Sequence, residues 1–419
     1  MNMSEKTFCI NAERLQHRLN SLGEMGALDG GGVSRLALTD ADKKGRDLVV
    51  SWMKGLGLVV SIDAIGNVIG TLKGKEDLPC IMMGSHIDTV STGGLYDGNL
   101  GVLAGLEVIE TLIDFNITPN CPVSVGFFTN EEGARFAPDM MGSAVFTQTL
   151  ALETALQTIG IDGESVGDEL QRIGYQGTTD FPDIKKDIAT YIELHIEQGP
   201  VLDQKNIEIG VVEGVQGISW QEFRLTGVSN HAGTTPMQYR QDAGLVAAKI
   251  CSFVNDLALS MAPNQLATVG ALELKPNLIN VIANFALFTV DLRNPNEAEL
   301  QKAEAALDKY INEQVTAHGL QVERKILARF QPVHFHPEVV NTIEKMAINN
   351  RLTTKRLFSG AGHDAQMFAP HCPTAMVFVP SEKGISHNIN EYTSPEQITN
   401  GANVLLQTVL EFSSRSLYV

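Results

Sequence analysis

Apolar residues arrive in short blocks that alternate with stretches of helical period as far as residue 213. TDADKKGRDLVVSWMKGLG (39–57) spaces its apolar positions as one helix face does, with Thr39 offering an N-cap. LVVSID and NVIGTLKG read as strands, and CIMMGSH (80–86) as a short apolar strand. NLGVLAGLEVIETL (99–112) predicts a helix, and PVSVGFFTN (122–130) and IATYIELHIE (188–197) predict two further buried strands. Strands with intervening helices predict an α/β unit with a largely parallel, mixed sheet, whose ligands bind where the strands end.

Residues 214–328 follow another order. GISWQEFRLTG is a strand, DAGLVAAKICSFVNDLALSM a helix, and LATVGALELK and ANFALFTVDLR are strands. NEAELQKAEAALDKYINEQVTAHG is a long helix and LQVERKIL a last strand. This β-α-β-β-α-β order is that of a ferredoxin-like α+β unit. Helix and strand then alternate again through TTKRLFS, TAMVFVP and a helix from Pro395. The expected organisation is a discontinuous α/β domain, 1–213 and 329–419, interrupted by a smaller inserted domain, 214–328. Two crossings predict a hinge near 213–216 and 328–333.

Composition narrows the class. The 419 residues, 43% apolar and 19% charged, describe a folded chain too long for one ordinary core. A net charge of −18 argues against nucleic acid and anionic membranes as partners, while a small anionic molecule remains open. Cys9, Cys80, Cys121, Cys251 and Cys372 show no CxxC spacing and read as free, mostly buried thiols. The N-terminus carries no basic, apolar leader, so a cytoplasmic location is expected.

GSHIDTVSTGGLYDGN (84–99) places His86, Asp88 and Asp97 among small residues. An acidic surface turn is one reading; half of a metal site is the other. In an extended segment His86 and Asp88 share a face, and a metal-bound imidazole commonly passes its second N–H to a carboxylate. FFTNEEGARF puts Glu131 and Glu132 directly after a strand, where one can bind a cation and the other move protons. ELHIEQGP ends a strand at His195, and ISHNINEYT places His387 after another. Four strand ends bearing a histidine or acid predict a mixed His/carboxylate binuclear site. Its donors suit two divalent ions, zinc first, with manganese, cobalt or nickel as alternatives.

Through GSHIDTV, DGNLGVLAG, TNEEGARF, ELHIEQGP, SNHAGTTPM, SGAGHDAQMFAP and GISHN, the chain resembles a family of metal-dependent amidohydrolases. That family includes N-carbamoyl-L-amino acid hydrolase, β-ureidopropionase and allantoate amidohydrolase, within the co-catalytic zinc exopeptidases and aminoacylases. The resemblance covers nearly the whole chain. It implies His86 and His195 on one ion, Glu132 and His387 on the other, and Asp97 bridging them. It implies Asp88 as the group orienting His86, and Glu131 as general base. From the inserted lid and dimerisation domain it implies His231 as a stabiliser of the tetrahedral intermediate, reaching the partner's site in a homodimer. Arg293, Asn280, Gln198 and the backbone of Gly360 and Gly362 would hold the carboxylate of a ureido acid. His363 and Asp364 would support the pocket. The implied reaction takes an N-carbamoyl-L-amino acid or N-carbamoyl-β-alanine to amino acid, carbon dioxide and ammonia. Allantoate or ureidoglycolate is the alternative substrate; an aminoacylase, a dipeptidase or a non-catalytic ureido-acid-binding protein stands behind it.

Overall fold

The structure, a computed structural model, describes residues 8–414. Residues 1–7 and 415–419, the outer ends of the expected catalytic segments and the start of the chain read for a leader, lie outside the described residues. Two compact units divide the chain: Met1–Gly214 with His334–Val419, and Val215–Val333. In chain order the strands are β1 (Val59–Ile62), β2 (Val68–Leu72), β3 (Cys80–His86), β4 (Val123–Phe128), β5 (Ile188–Ile196), β6 (Ile209–Val215), β7 (Gly217–Thr226), β8 (Leu266–Lys275), β9 (Phe285–Asn294), β10 (Gln321–Phe330), β11 (Val333–His334), β12 (Thr354–Ser359) and β13 (Thr374–Val379).

In the first unit the described residues form one mixed sheet of order β1-β2-β4-β3-β5-β13-β6-β11, with β12 also paired to β6. Its centre, β4-β3-β5-β13, is parallel. The flanks at β1, β2 and β6 are antiparallel. Helices cover both faces of a parallel centre, which is why β4 and β5 are buried at every position. The helix Asn99–Asp114 packs closely on this sheet: a Cβ at Gly101 would lie 2.5 Å from the Leu194 carbonyl. Parallel strands end on one side, so the loops after β3, β4, β5 and β13 collect there.

Arg35 ties this end together. It is fully buried. Its Nε donates to the Ile87 carbonyl, Nη1 to the Leu22 and Met25 carbonyls, and Nη2 to Asn99 Oδ1. Burial pushes its guanidinium down to about 10. Arg35→Met keeps much of the volume but strands three buried acceptors and a half-buried one. The expected loss is about 3 kcal/mol, read as a lower denaturant midpoint for the metal-free protein.

In the second unit an antiparallel sheet of order β10-β7-β9-β8 carries the helices Ala243–Ser260 and Glu297–His318. Alternate residues of β7 are buried, as a sheet with one covered face requires. Phe223 and Phe288 stack, and Ile250 and Leu307 join their core. The helix Ala243–Ser260 is long and apolar enough to cross a membrane, but Val246, Ala247, Ile250 and Val254 are buried in this core. Pairing of β10 with β7 continues past an irregularity at Ile326/Ala328 to Phe330 opposite Ile218.

Cys121 and Cys372 are buried, Cys80 and Cys251 half-buried, and Cys9 exposed; all five are free. The thiols are thus less uniformly buried than their apolar neighbours suggest.

Candidate metal centre

The four parallel strand ends deliver their side chains to one cleft. It is lined by Asp97, Glu131, Glu132, Asp139, His195, Gln198, Ala361, Gly362, His363 and His387, and His86 lies buried against Asp97 and Glu131. Asp97 sits at the middle. Its Oδ1 lies 3.5 Å from His86 Nε2 and 3.2 Å from His195 Nε2. Its Oδ2 lies 3.4 Å from His387 Nε2, which is itself 3.2 Å from Glu132 Oε2. Two separate donor groups result, His86/Asp97/His195 and Asp97/Glu132/His387, sharing one carboxylate.

The rings are set for ligation. His86 Nδ1 is 2.9 Å from the Asp88 carbonyl, and His195 Nδ1 is 2.8 Å from the Ile196 carbonyl. A carbonyl only accepts, so each Nδ1 carries the proton and each Nε2 turns a lone pair toward Asp97. Lone pairs aimed at a buried carboxylate repel unless a proton or a cation stands between them. Without a cation, the proton takes that place. Burial opposes charge on His86, but Glu131, Asp97 and Asp88 carry it well above its ordinary value. Burial likewise opposes ionisation of Asp97, yet hydrogen bonds with His195, His387 and His86 hold it well below the usual carboxylate range. The donor set therefore fits divalent cations.

Glu131 is buried, with Oε2 3.3 Å from His86 Nε2. Burial, with Asp364, Glu132 and Asp97 nearby, pushes its carboxyl well up. That is the direction a proton acceptor working near neutral pH requires. Backbone strain gathers here as well: Asn130, Gln198 and His387 have φ of 56°, 56° and 53°.

Asp88 meets His86 chiefly through its main chain. The sequence predicts that its carboxylate orients His86, but Oδ1 is 3.9 Å from Nδ1 and the main-chain carbonyl makes the closer contact. The strand turns after His86 and brings that carbonyl round to the ring. The carboxylate instead accepts the backbone N–H groups of Glu131 and Glu132, each at 3.3 Å. The Asp88 carboxylate thus contacts the backbone of both glutamates.

Gln198 donates from Nε2 to Asp97 Oδ2 at 2.8 Å, leaving its buried Oε1 without a partner. Gly362 lines the cleft and Gly360 is exposed beside it. His363, Glu193 and His195 also cluster. His363 Nε2, however, pairs with Ser359 Oγ at 2.8 Å, and the Glu193 oxygens take Ser85 Oγ and the Ala365 amide. This is a hydrogen-bonded layer under His195. Asp364 is buried beside it and its carboxyl is pushed well up, by burial first and Glu193 next.

Within the second unit, His231 pairs through its backbone with Val281, and the Ala232 amide donates to the Asn280 carbonyl. The SNHAGTTPM loop and Asn280 therefore sit side by side. Arg240 braces that loop at the Thr235 and Ala232 carbonyls. The Gly233 N–H donates to His231 Nδ1 at 3.0 Å, which leaves the proton on Nε2. Arg293 lies over Trp220 and its fork engages Asp291, two residues away on the same face of β9.

Sequence reasoning passes over Asp139, Ser386 and Glu391. The last two stand close to His387 in ISHNINEYT, an acid in an otherwise polar loop being the one available signal.

A profile of peptidase family M20/M25/M40 matches residues 82–411. The N-carbamoyl-L-amino-acid amidohydrolase of Rhizobium meliloti is 40% identical over 403 residues, covering 96% of each chain. The allantoate amidohydrolase of Escherichia coli is 32% identical, covering 94% of this chain and 96% of its own. The crystal structure of an amidase of the hydantoinase/carbamoylase family from Burkholderia multivorans is similar with a TM-score of 0.94 at 42% identity, covering 98% of this chain and all of that one. The chain belongs to peptidase family M20/M25/M40. Within it the chain is an amidohydrolase acting on carbon–nitrogen bonds other than peptide bonds, and the family and the two donor groups together support use of a divalent metal.

Proposed function

We propose that the chain hydrolyses the carbamoyl group of N-carbamoyl-L-amino acids or N-carbamoyl-β-alanine at a site holding two divalent ions. One observation carries the reading: the two oxygens of Asp97 face separate donor groups, with buried Glu131 beside them. His86, His195 and Asp97 would hold one ion, and Asp97, Glu132 and His387 the other. Zinc suits these donors best, with manganese, cobalt or nickel as alternatives. Such ions, when bound, polarise the carbonyl and acidify water.

Glu131 takes the proton of the attacking water and returns it to the leaving nitrogen. His231, with its proton on Nε2, donates to the oxygen that gains charge. Arg293 and Asn280, with Gln198 and the amides of Gly360 and Gly362, receive the substrate carboxylate; a planar guanidinium suits that task. Asp291 competes for the same fork in the absence of substrate. The overall balance is one ureido acid and one water to one amino acid, carbon dioxide and ammonia.

We further read the inserted unit as a lid and dimerisation domain, with His231 completing the partner's site in a homodimer. β8 is an edge strand exposing Leu266 and Leu272, an arrangement that invites pairing with a second copy. Five free thiols suit a cytoplasmic location.

Proton competition makes metal uptake pH-dependent. Hydrogen bonds with Asp97 and Glu132 carry His387 up to about 10 in the metal-free protein. The folded value is raised, so this pairing stabilises the metal-free fold fully below about 6.5, the unfolded histidine value, and is lost as pH rises through about 10. A cation must displace that proton. Affinity at the His387 position is therefore expected to rise with pH, by up to about tenfold per unit, in manganese titrations from pH 6 to 8.5.

The reaction is tested by ammonia release from metal-stripped protein reloaded with zinc, manganese, cobalt or nickel. The panel holds N-carbamoyl-L- and D-amino acids, N-carbamoyl-β-alanine, allantoate, ureidoglycolate and an N-acetyl amino acid. Metal-dependent release from an N-carbamoyl acid is expected. Release from allantoate alone moves the chain to the branch of its Escherichia coli relative, and release from ureidoglycolate alone to that of the ureidoglycolate hydrolase of Arabidopsis thaliana. Silence on every ureido acid contradicts the proposal.

A further inference from the structure

Two loops distant in sequence meet behind the cleft, and one buried acid joins them. Glu391 is 4% exposed. Its Oε1 accepts the backbone N–H groups of Tyr96 and Asp97 at 3.0 and 3.1 Å. Its Oε2 lies 3.1 Å from Ser386 Oγ, and the same hydroxyl lies 3.0 Å from Asp97 Oδ2. The carboxyl fills the space over Gly94, where a Cβ would come within 2.2 Å of Glu391 Oε1. Segment 380–393 closes on itself: the Glu382 amide donates to the Tyr392 carbonyl, the Glu391 amide to the Asn388 carbonyl, and Thr393 Oγ1 to the Pro380 carbonyl. Glu391 is thereby locked facing the Asp97 loop, with His387 on the same segment.

We propose that Glu391, through Ser386 and the amides of Tyr96 and Asp97, is a positioning residue that sets where Asp97 and His387 meet. It touches no reacting atom. Its two oxygens act on different parts of the centre. Oε1 holds the backbone that carries Asp97, and so bears on both donor groups. Oε2 acts through Ser386 on Asp97 Oδ2 alone, the oxygen facing His387 and Glu132. This rests on the reading that both groups hold cations.

Calorimetric titration of the metal-stripped full chain with manganese(II) alone separates the outcomes. Wild type is expected to take two ions. Glu391→Ala should weaken both, by about 10–100-fold, the usual effect of removing a group that orients a ligand. Ser386→Ala should weaken one ion only. Glu391→Gln should remain within about threefold of wild type, because the amide keeps an acceptor for the two N–H groups and turns an N–H toward Ser386. In the reloaded enzyme Ser386→Ala should lower kcat while leaving KM nearly unchanged. A purely structural role would instead shift the unfolding midpoint of every variant and spare the affinities.

Wild-type uptake of two ions with unchanged affinities in Glu391→Ala overturns the inference alone. Should Glu391→Ala fail to fold, wild-type affinities in Ser386→Ala overturn it equally. Failure of the wild type to bind manganese overturns the two-cation reading, and this inference with it.

Discussion

Glu131→Gln is expected to lower kcat by about 10²–10⁴-fold while leaving metal content intact. Glutamine matches glutamate in shape, and the Glu131 amide can still donate to Asp88 Oδ1. What disappears is the ability to take a proton from water. Glu132, next in sequence, does not substitute, because its carboxylate faces His387. Ground-state binding is untouched, so KM should change far less than kcat, the signature of an interaction made only in the transition state. Steady-state kinetics paired with a metal count on the same sample reads both. Full turnover in Glu131→Gln would remove Glu131 from the mechanism.

Gly98→Ala is expected to break the centre without touching a ligand. Gly98 has φ +66° with ψ −49°, outside the regions open to a residue with a side chain, so the backbone alone opposes alanine. The larger effect is steric. A Cβ there would stand 2.4 Å from His86 Cε1 and Nε2. The ring cannot swing away freely, because its Nδ1 is held by the Asp88 carbonyl. The Gly98 amide nitrogen also lies 3.2 Å from His195 Nε2, so a displaced backbone disturbs both histidines of one group. Binding of that ion should fall at least tenfold, the lower end of what disturbing a ligand's support brings, and activity should fall with it. Gly55→Ala is the control, since a Cβ there meets nothing within 4 Å. Equal metal affinity in Gly98→Ala and wild type would mean that His86 is not a ligand.

The parts of this account legible in sequence are those written locally. CIMMGSH and IATYIELHI stand out because central parallel strands are buried on both faces, so their apolar runs are nearly continuous. A histidine or acid at the end of such a run is conspicuous, and a parallel sheet carries those ends to one side. Less regular elements are harder to see. β6 reads IGVVEGV, interrupted by glycine and Glu213, and the helix Ala12–Gly23 mixes charge along its length. Contacts made by the main chain were not legible at all. The role of Asp88 depends on how the chain turns after His86. Glu391 binds amides 295 and 294 positions away in sequence, and no residue type marks an amide as an acceptor's target.

The central claim is that Asp97 joins two cations within reach of Glu131. Anomalous diffraction from crystals loaded with manganese or zinc tests it most directly. The account predicts two peaks about 3.5–4 Å apart, one beside His86 and His195, the other beside Glu132 and His387, with Asp97 between them. A single peak, or a pair of peaks away from Asp97, would contradict it.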